Sequence, residues 1–416
     1  MPTDVRSPTR SLFPGLVRAP WWAPLEALGH HDAVDGDAAE LALDLAVALA
    51  ASGHADPATA VATDLLSERS TLADYAGRPL PAGLTGLARL ELERVAAVVR
   101  RAGAAARFDA SDGGGRLPAP RLCELAEARL EPWAAAHVAR LSAALTAPGE
   151  LDPTATYLDL LGTIGNGPAA LHPVTRWRSG KLEPVLHPDL PDWAALVGLE
   201  GPLSALARNT EALLAGGRAN DCLLYGARGS GKSTAVRGLA RRYVERGLRL
   251  VELQPEQLDS LPELVELLRP QPLKFVLFVD DLAFEADDGR YRPLKSLLEG
   301  GVTRRPENTT LYATSNRRHL VRERLRDRPD PLDDDVHAWD THHERLALAD
   351  RFGLVITFPA ADQRAYLAVV RALAAQLGVW AKGAELDELA LRFAEWNNGY
   401  SGRAARQFVD TLLDAR

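Results

Sequence analysis

The spacing of apolar residues divides the chain into a helical N-terminal part, an irregular middle and an alternating C-terminal part. Between residues 37 and 147, apolar side chains recur every three or four positions, which predicts amphipathic helices. These predicted helices span 37–52, 57–66, 84–106 and 119–146. Residues 1–35 are proline-rich and irregular. We therefore expect a mainly helical N-terminal domain over residues 1–147, in which we find no catalytic motif.

Prolines and glycines dominate the next segment, residues 148–195. Clusters of these residues interrupt regular secondary structure and indicate turns and loops. Short strands are predicted near 175–178 and 182–186. The composition of the segment predicts a connector between two domains.

From residue 196 onward, apolar runs alternate with stretches of helical periodicity. The runs are nearly continuous, which is typical of buried parallel strands, and they lie at 222–225, 249–253, 275–280, 309–314 and 354–358. The predicted helices between them span 202–215, 232–246, 261–268 and 291–299. This alternation predicts an α/β domain over residues 196–360, with a parallel sheet flanked by helices. A helical domain over residues 361–416 follows, with predicted helices at 362–378, 384–396 and 401–414.

The segment after the first of these strands fits the phosphate-binding pattern G-x-x-x-x-G-K-[ST]. It reads Gly226-Ala227-Arg228-Gly229-Ser230-Gly231-Lys232-Ser233-Thr234. It follows an apolar strand and opens a predicted helix, which is the context that the pattern requires. In such a P-loop, glycines let successive amides point inward, and the helix N-terminus adds partial positive charge. The sequence therefore predicts a nucleoside triphosphate site in which Lys232 contacts the β- and γ-phosphates and Ser233 ligates Mg²⁺.

Two carboxylates, Asp280 and Asp281, end the strand predicted at 275–280. Ligands of open α/β sheets bind at the carboxyl ends of the strands. Asp280 is suited to hold Mg²⁺ through water, because Mg²⁺ keeps part of its hydration shell. Asp281 is suited to orient an attacking water molecule. Glu285 is an alternative for that role, because its longer side chain reaches further if the chain curls back.

Three further side chains follow in an order that suggests contact with a phosphate. Asn316 ends the next strand and can hydrogen-bond the water or the γ-phosphate, although an asparagine there is also common as a cap or turn residue. Arg351 precedes the last strand and can stabilise a transferring phosphoryl group from a neighbouring subunit, or form a surface ion pair with Asp350. Arg403 opens the last helix and can reach the γ-phosphate, or remain a solvated side chain in a first turn.

Composition narrows the class of protein. The chain has 416 residues, of which 46% are hydrophobic and 25% charged, which is typical of a globular protein with more than one domain. The net charge of −8 argues against bulk attraction to nucleic acid or to acidic membranes. Cys123 and Cys222 lie far apart in apolar contexts, and neither a secretion signal nor a long uncharged apolar run is visible. We expect a cytoplasmic protein without a membrane partner.

Two further clusters of polar residues are candidate sites. His337, His342 and His343 lie among aspartates, but their spacing matches no zinc pattern and no cysteine is near. We interpret them as part of a polar surface loop. Six arginines lie between residues 317 and 328, and the acidic run that follows dilutes their charge. Nucleic-acid binding is therefore an alternative that this patch does not favour.

Taken in order, these motifs resemble those of AAA+ ATPases, and more closely those of a bacterial family of uncharacterised AAA+ ATPases called domain of unknown function 815. The resemblance covers about residues 195–416. It rests on five stretches, which are Asn220 to Ser233, Phe278 to Glu285, Tyr312 to Leu320, Asp350 to Leu354 and Ser401 to Val409. It implies a P-loop NTPase core of the AAA+ type with a helical C-terminal lid, and it implies binding and hydrolysis of ATP with Mg²⁺.

The resemblance also implies assembly and site roles. It implies a homo-oligomeric ring or spiral, hexameric or nucleotide-dependent, in which Arg351 of one subunit completes the site of the next. By analogy, Val197 and Gly198 would lie near the adenine. Asp281 stands where the wider superfamily more often has glutamate, which leaves the choice between Asp281 and Glu285 open. The resemblance does not indicate which macromolecule the protein acts on.

The sequence as a whole predicts an ATPase whose helical N-terminal half selects a macromolecular partner. One alternative is a nucleotide-gated switch or scaffold that binds ATP and turns over little. A second is a small-molecule kinase with the same loop, although no acceptor pocket is predicted. A third is a DNA-associated ATPase similar to helicase loaders.

Overall fold

The computed structural model describes residues 11–30, 44–45, 47–49, 51–52, 56–76, 78–108, 130–147, 149–283, 294, 298, 306–316, 349–379, 383–397 and 399–414. These residues form two compact units. One comprises Met1–Thr175, Leu182–Leu186 and Pro270–Leu273, and the other comprises Arg176–Lys181, His187–Arg269 and Lys274–Arg416. Most of the helices predicted at 37–52 and 291–299, and the first part of 119–146, lie outside the described residues.

Helices build the first unit. They are α1 (Pro14–Arg18), α2 (Trp22–His30), α3 (Pro57–Ser67), α4 (Ala82–Phe108), α5 (Pro132–Thr146), α6 (Pro153–Ile164) and α7 (Pro168–Leu171), with a 3₁₀ turn at Ala73–Tyr75. The helices predicted at 57–66 and 84–106 are confirmed. The helices α6 and α7 lie within the segment in which only a connector with short strands was predicted.

Aspartate caps and prolines fix where two of these helices begin. Asp56 accepts a hydrogen bond from the Thr59 amide at 2.9 Å, and Asp152 accepts one from the Thr154 amide at 2.8 Å. In each case proline occupies the first turn, where its missing N–H would have no helical partner. The aspartate–proline pairs thus begin α3 and α6.

The core of the first unit is apolar and centred on aromatic side chains. Trp21 and Tyr157 are fully buried. The rings of Phe13 and Tyr157 meet edge to face, with centroids 5.3 Å apart. The Tyr157 hydroxyl lies 3.1 Å from the Ser70 hydroxyl, so its polar end is hydrogen-bonded inside the core. Tyr157 belongs to α6, and this helix is therefore part of the core of the unit.

A seven-stranded sheet carries the α/β fold. Its strands are β1 (Val174–Arg178), β2 (Lys181–Pro184), β3 (Cys222–Gly226), β4 (Leu248–Leu253), β5 (Lys274–Val279), β6 (Thr309–Ser315) and β7 (Leu354–Phe358), in the order β2-β1-β4-β5-β6-β3-β7. The pairs β4–β5, β5–β6, β6–β3 and β3–β7 are parallel. The predicted parallel sheet is confirmed, and its β5 and β6 are almost entirely buried.

Register brings the carboxyl ends of the parallel strands to one edge. Val279 of β5 pairs with Ala313 of β6, Tyr225 of β3 with Ser315 of β6, and Gly226 with Phe358 of β7. The residues that follow these positions therefore meet at the same edge of the sheet.

Helices α8 (Glu200–Leu214), α9 (Lys232–Tyr243) and α10 (Leu261–Leu268) accompany these strands, with 3₁₀ turns at Trp193–Ala195, Val244–Arg246, Pro255–Ser260 and Ala349–Arg351. The C-terminal helices α11 (Gln363–Leu377), α12 (Gly383–Trp396) and α13 (Gly402–Asp414) form a small bundle. We call this bundle the lid. It has its own apolar core, in which Tyr366, Ala390 and Phe408 are buried. Within the described residues, no helix is long and apolar enough to cross a lipid bilayer.

Candidate functional site

A cleft of about 760 Å³ lies at the carboxyl edge of the sheet. Three parts of the second unit line it. These are the loop between β3 and α9, the polar residues at the ends of β5 and β6, and side chains of α11 and α13. A short segment, residues 195–199, adds an apolar wall. The cleft is therefore lined by residues of the glycine-rich loop, carboxylates, arginines and apolar side chains.

Two glycines permit the tight path of the loop. Gly231 has a φ of +94° and is the N-cap of α9, a conformation that side-chain-bearing residues rarely adopt. A Cβ atom at Gly226 would lie 2.3 Å from the carbonyl oxygen of Phe358 on β7. The loop can therefore turn sharply and pack directly against a neighbouring strand.

Lys232 follows these glycines, and its ammonium group lies inside the loop. It donates hydrogen bonds to the carbonyl oxygens of Gly226 at 2.7 Å and Ala227 at 2.8 Å, and to Asn316 Oδ1 at 2.9 Å. The residue is only 6% exposed. Burial lowers the pKa of Lys232 below its ordinary value, and the neighbouring carboxylates of the strand ends oppose that shift.

Ser233 and Asp280 meet across the loop and the end of β5. The Ser233 hydroxyl donates to Asp280 Oδ1 at 2.6 Å. The same carboxylate oxygen accepts from the hydroxyl of Thr314 at 2.5 Å. A hydroxyl oxygen and a carboxylate at one point are the hard oxygen donors that Mg²⁺ prefers.

Asp281 points to a different partner. Its backbone has a φ of +52°, in the left-handed region, whereas Asp280 just before it accepts the Ser233 hydroxyl. The Asp281 carboxylate accepts a hydrogen bond from Asn316 Nδ2 at 2.6 Å. Because Asn316 Oδ1 also accepts from Lys232, its amide joins the lysine of the loop to the second carboxylate. The four predicted residues Lys232, Asp280, Asp281 and Asn316 thus lie together.

The loop also contains a buried polar atom that fits a phosphate. Ser230 Oγ is buried and has no hydrogen-bond partner among the described residues. A buried hydroxyl without a partner is unfavourable unless a ligand or water satisfies it. The Lys232 ammonium and the start of α9 supply positive potential at the same place. The donor set therefore fits a polyphosphate, and Ser233 with Asp280 fits its divalent cation.

The lid touches the loop at its apex. The Gly402 amide at the start of α13 donates to the carbonyl oxygen of Gly229 at 3.0 Å. Ser401 caps α13, since its hydroxyl accepts from the Ala404 amide at 3.0 Å. Arg403 and Arg406 line the cleft from the same helix. The start of the lid helix is thus joined to the loop by a main-chain hydrogen bond.

The apolar wall includes Val197 and Gly198, which both line the cleft. Trp193 anchors the segment before them, because its indole nitrogen donates to the carbonyl oxygen of Ala235 on α9 at 2.9 Å. Asp189 also lines the cleft and forms an ion pair with Arg237 of α9 at 3.0 Å. Residues 189–193 are therefore held against α9, the helix that follows the loop.

Other predicted residues are not brought into this cleft. Arg351 lies in the 3₁₀ turn before β7 and is not among the residues that line the cleft. Glu285 lies outside the described residues, as do the histidines at 337, 342 and 343 and the arginines between 317 and 328. The described residues contain no cluster of histidine, cysteine and acidic side chains able to hold a metal ion by themselves.

Sequence reasoning missed Thr314, which contacts both aspartates. Its hydroxyl donates to Asp280 and accepts from the Asp281 amide at 2.9 Å. Asp189 and Arg237 were missed as well. The only sequence signal for Thr314 is its position two residues before Asn316 at the end of a buried strand.

Comparison with known proteins identifies one family. Residues 170–416 match the family described as "Protein of unknown function (DUF815)". No curated protein matches the chain.

Solved structures with some likeness include RuvB of Thermotoga maritima, described as a Holliday junction branch migration motor. It is 17% identical with a TM-score of 0.37, covering 54% of this chain and 65% of that one. Two substituted forms of RuvB give 17% and 18% identity, TM-scores of 0.36 and 0.37, and coverage of 52% and 53% of this chain and 62% of each of theirs. The chain thus spans less than two thirds of the length of these three structures.

Proposed function

The chain belongs to the family described as "Protein of unknown function (DUF815)", and from this premise we propose that it binds ATP with Mg²⁺ and hydrolyses it. Its second unit has the P-loop α/β fold of AAA+ ATPases, with a helical lid. We further propose that hydrolysis remodels or regulates a macromolecular partner.

One observation supports the proposal above all others. The loop lysine, the Asn316 amide and the Asp281 carboxylate form a continuous hydrogen-bonded chain, and Ser233 meets Asp280 beside it. A binding loop for phosphate alone has no need of two carboxylates. Carboxylates beside a phosphate site are expected where a cation is held and a water molecule is oriented.

The loop would bind the triphosphate. In the proposal, amides from Gly226 to Thr234 face the phosphate oxygens, and Lys232 exchanges its carbonyl partners for the β- and γ-phosphates. Ser230 Oγ gains the partner that it lacks among the described residues. Val197 and Gly198, on the apolar wall, contact the adenine.

Ser233 and Asp280 would hold the Mg²⁺. When bound, the ion supplies positive charge that offsets the charge developing on the phosphate oxygens. Asp281 then orients the attacking water, with Asn316 fixing the direction of its carboxylate. Glu285 remains the alternative for the same role.

Two arginines would complete the site. Arg403 lines the cleft from the lid and reaches the γ-phosphate when the nucleotide is bound. Arg351 does not line the cleft of its own chain, and in the proposal it serves the site of an adjacent copy in a homo-oligomer. The helical N-terminal region, residues 1–147, contacts the protein partner.

Calorimetry on the purified chain tests the proposal. Titration with ATP and Mg²⁺ should give saturable heat, and released phosphate should accumulate. Lys232→Ala should abolish both, because it removes the buried cation of the loop. The control is Lys181→Ala, which removes an exposed lysine from β2 and should bind like the wild type.

The outcomes separate the candidate functions. Absence of heat from the folded wild-type protein contradicts nucleotide binding altogether. Binding without steady-state phosphate release, even in assembled protein, would instead identify a nucleotide-gated switch. Turnover that rises with DNA and weakens with added salt would favour the helicase-loader-like alternative.

A further inference from the structure

Thr314 connects the two aspartates of the candidate site. It lies on β6, one position beyond the pair formed by Val279 and Ala313. Its side chain is almost completely buried, at 1% exposure. The hydroxyl donates to Asp280 Oδ1 at 2.5 Å and accepts from the Asp281 amide at 2.9 Å. One hydroxyl group therefore uses both its donor and its acceptor capacity on the two adjacent residues that follow β5.

The main chain of Thr314 holds the same turn from the other side. Its carbonyl oxygen accepts a hydrogen bond from the Leu282 amide at 2.7 Å. Three hydrogen bonds from one residue thus fix three consecutive residues, 280 to 282. Because Thr314 is buried in a paired strand, its hydrogen bonds restrict the position of this turn.

The turn needs such support because it is strained. Asp281 has a φ of +52° and, with Ser179, is one of two described non-glycine residues with positive φ. Left-handed backbone is unfavourable for residues with a Cβ atom, and it persists where surrounding contacts hold it. Here three of the hydrogen bonds that hold it involve Thr314.

The strained turn has a consequence for the site. Adjacent residues of an extended strand point in opposite directions, whereas these two carboxylates must both reach the cleft. The left-handed residue turns the chain so that Asp280 faces Ser233 and Asp281 faces Asn316, each at 2.6 Å. The direction of both carboxylates therefore depends on the turn.

We propose that Thr314 is a positioning residue, which sets the directions of the cation-binding Asp280 and the water-orienting Asp281. This inference rests on the proposed function of the same cleft. In this inference Thr314 acts through the two aspartates, with which its hydroxyl forms its hydrogen bonds. Its loss leaves the loop and its lysine unchanged and misdirects the two carboxylates.

The experiment compares two threonines of one strand. Thr314→Val replaces the hydroxyl by a methyl group of nearly equal size. The matched control is Thr310→Val, because Thr310 is also fully buried, on the same face of β6, and its hydroxyl donates to the Asn220 carbonyl at 2.9 Å, away from the cleft. Thr314→Ser restores the hydroxyl without the methyl group.

Two readouts separate positioning from general structure. We expect Thr314→Val to lower kcat by about 10- to 100-fold and to change KM by less than about 3-fold, since ground-state binding by the loop remains. Calorimetry of ATP with and without Mg²⁺ should show that this variant loses most of the gain in affinity that Mg²⁺ gives. Thr314→Ser and Thr310→Val should stay within about 3-fold of the wild type in both measurements.

The results that overturn the inference are distinct from those that overturn the proposed function. If the wild type hydrolyses ATP and Thr314→Val behaves like Thr310→Val, Thr314 does not position the carboxylates. If the wild type binds ATP without turnover, the gain in affinity with Mg²⁺ decides the question alone. If the wild type does not bind ATP, the proposed function fails and this inference fails with it. Should Thr314→Val not fold, Thr314→Ala takes its place with the same expected losses.

Discussion

The Lys232 ammonium group is buried, and this burial disfavours its positive charge. Burial lowers its pKa, and the charge of Arg228 lowers it further, while Asp281 and Asp280 act in the opposite sense. Its hydrogen bonds go to two neutral carbonyl oxygens and one amide oxygen. A polyphosphate would replace neutral partners by negatively charged oxygens at the same place. Charge-assisted hydrogen bonds are roughly twice as strong as neutral ones, so this exchange favours nucleotide binding.

Asp64 is a second residue whose charge is opposed by the fold, in the first unit. Burial, followed by the negative charge of Glu68, raises its pKa from 3.8 to about 7. Because the folded-state pKa lies above the unfolded value, ionisation of Asp64 destabilises the fold. The destabilisation is absent below pH 3.8, grows as the pH rises, and is complete above about pH 7.

We therefore expect Asp64→Asn to stabilise α3 at pH 8 and not at pH 4. The full shift corresponds to about 4 kcal/mol, and partial exposure of the side chain reduces the expected gain to on the order of 2 kcal/mol. Hydrogen exchange of the α3 amides, corrected for intrinsic rates, measures the change. Glu68→Gln is the control, since it removes the second cause and should reduce the gain. An equal gain at both pH values would contradict the assignment.

At the scale of single residues, the sequence predicts the residues of a strong motif. It misses residues whose proposed role depends on contacts with other strands. Lys232, Ser233 and Asp280 could be predicted because the P-loop pattern and the end of a strand fix their types and positions. Thr314 could not, because threonine is common in buried strands. Its proposed role depends on the pairing of β5 with β6, and the sequence of neither strand alone determines the register of that pair.

The start of α13 is in contact with the loop between β3 and α9 at Gly229. Gly229 has a φ of +74°, and a Cβ atom there would lie 2.9 Å from the Cβ of Ser401. Its carbonyl oxygen accepts the Gly402 amide. The position thus requires glycine for two reasons, backbone conformation and close approach of the lid.

Gly229→Ala should therefore loosen the lid. We expect a loss of stability of about 1 kcal/mol from the backbone strain, and faster hydrogen exchange at the first amides of α13. The control is Gly201→Ala in α8, which has open space around its Cβ position and should be neutral or stabilising. Unchanged exchange in α13 of the Gly229→Ala protein would show that the lid does not depend on this contact.

Elements with strong periodicity could be predicted from sequence, and elements with ambiguous signals could not. The parallel strands and the lid helices lie within one or two residues of their predicted positions, because long apolar runs and helical periodicity have few alternative readings. Helix α6 was missed because prolines in its segment indicated a connector. Pro153 instead occupies the first turn behind the Asp152 cap, where proline favours a helix.

For the whole molecule, the change of periodicity near residue 196 predicts a division into a helical part and an α/β part. The bounds of the two compact units are not given by that change, because segments 182–186 and 270–273 belong to the first unit although most of their neighbours in sequence belong to the second. The assignment of such short segments to a unit depends on contacts between residues far apart in the sequence. Local patterns contain no information about them.

The proposed homo-oligomer can be tested at the scale of the whole molecule. Arg351 does not line the cleft of its own chain, which is expected if it acts on the site of a neighbour. We expect Arg351→Ala and Lys232→Ala each to abolish turnover in isolation. The exposed Arg392→Ala in the lid, whose side chain pairs with Glu388, is the matched control and should hydrolyse ATP normally.

Mixing the two inactive proteins then distinguishes action between chains from action within one. An Arg351→Ala subunit retains an intact loop, and a Lys232→Ala subunit retains an intact arginine. In a random equal mixture, about one interface in four joins the intact loop to the intact arginine, so up to about a quarter of wild-type turnover should return. A mixture that assembles and stays inactive would contradict the role of Arg351 between subunits. Full activity of Arg351→Ala by itself would exclude the arginine from the site, because neither arrangement could then depend on it.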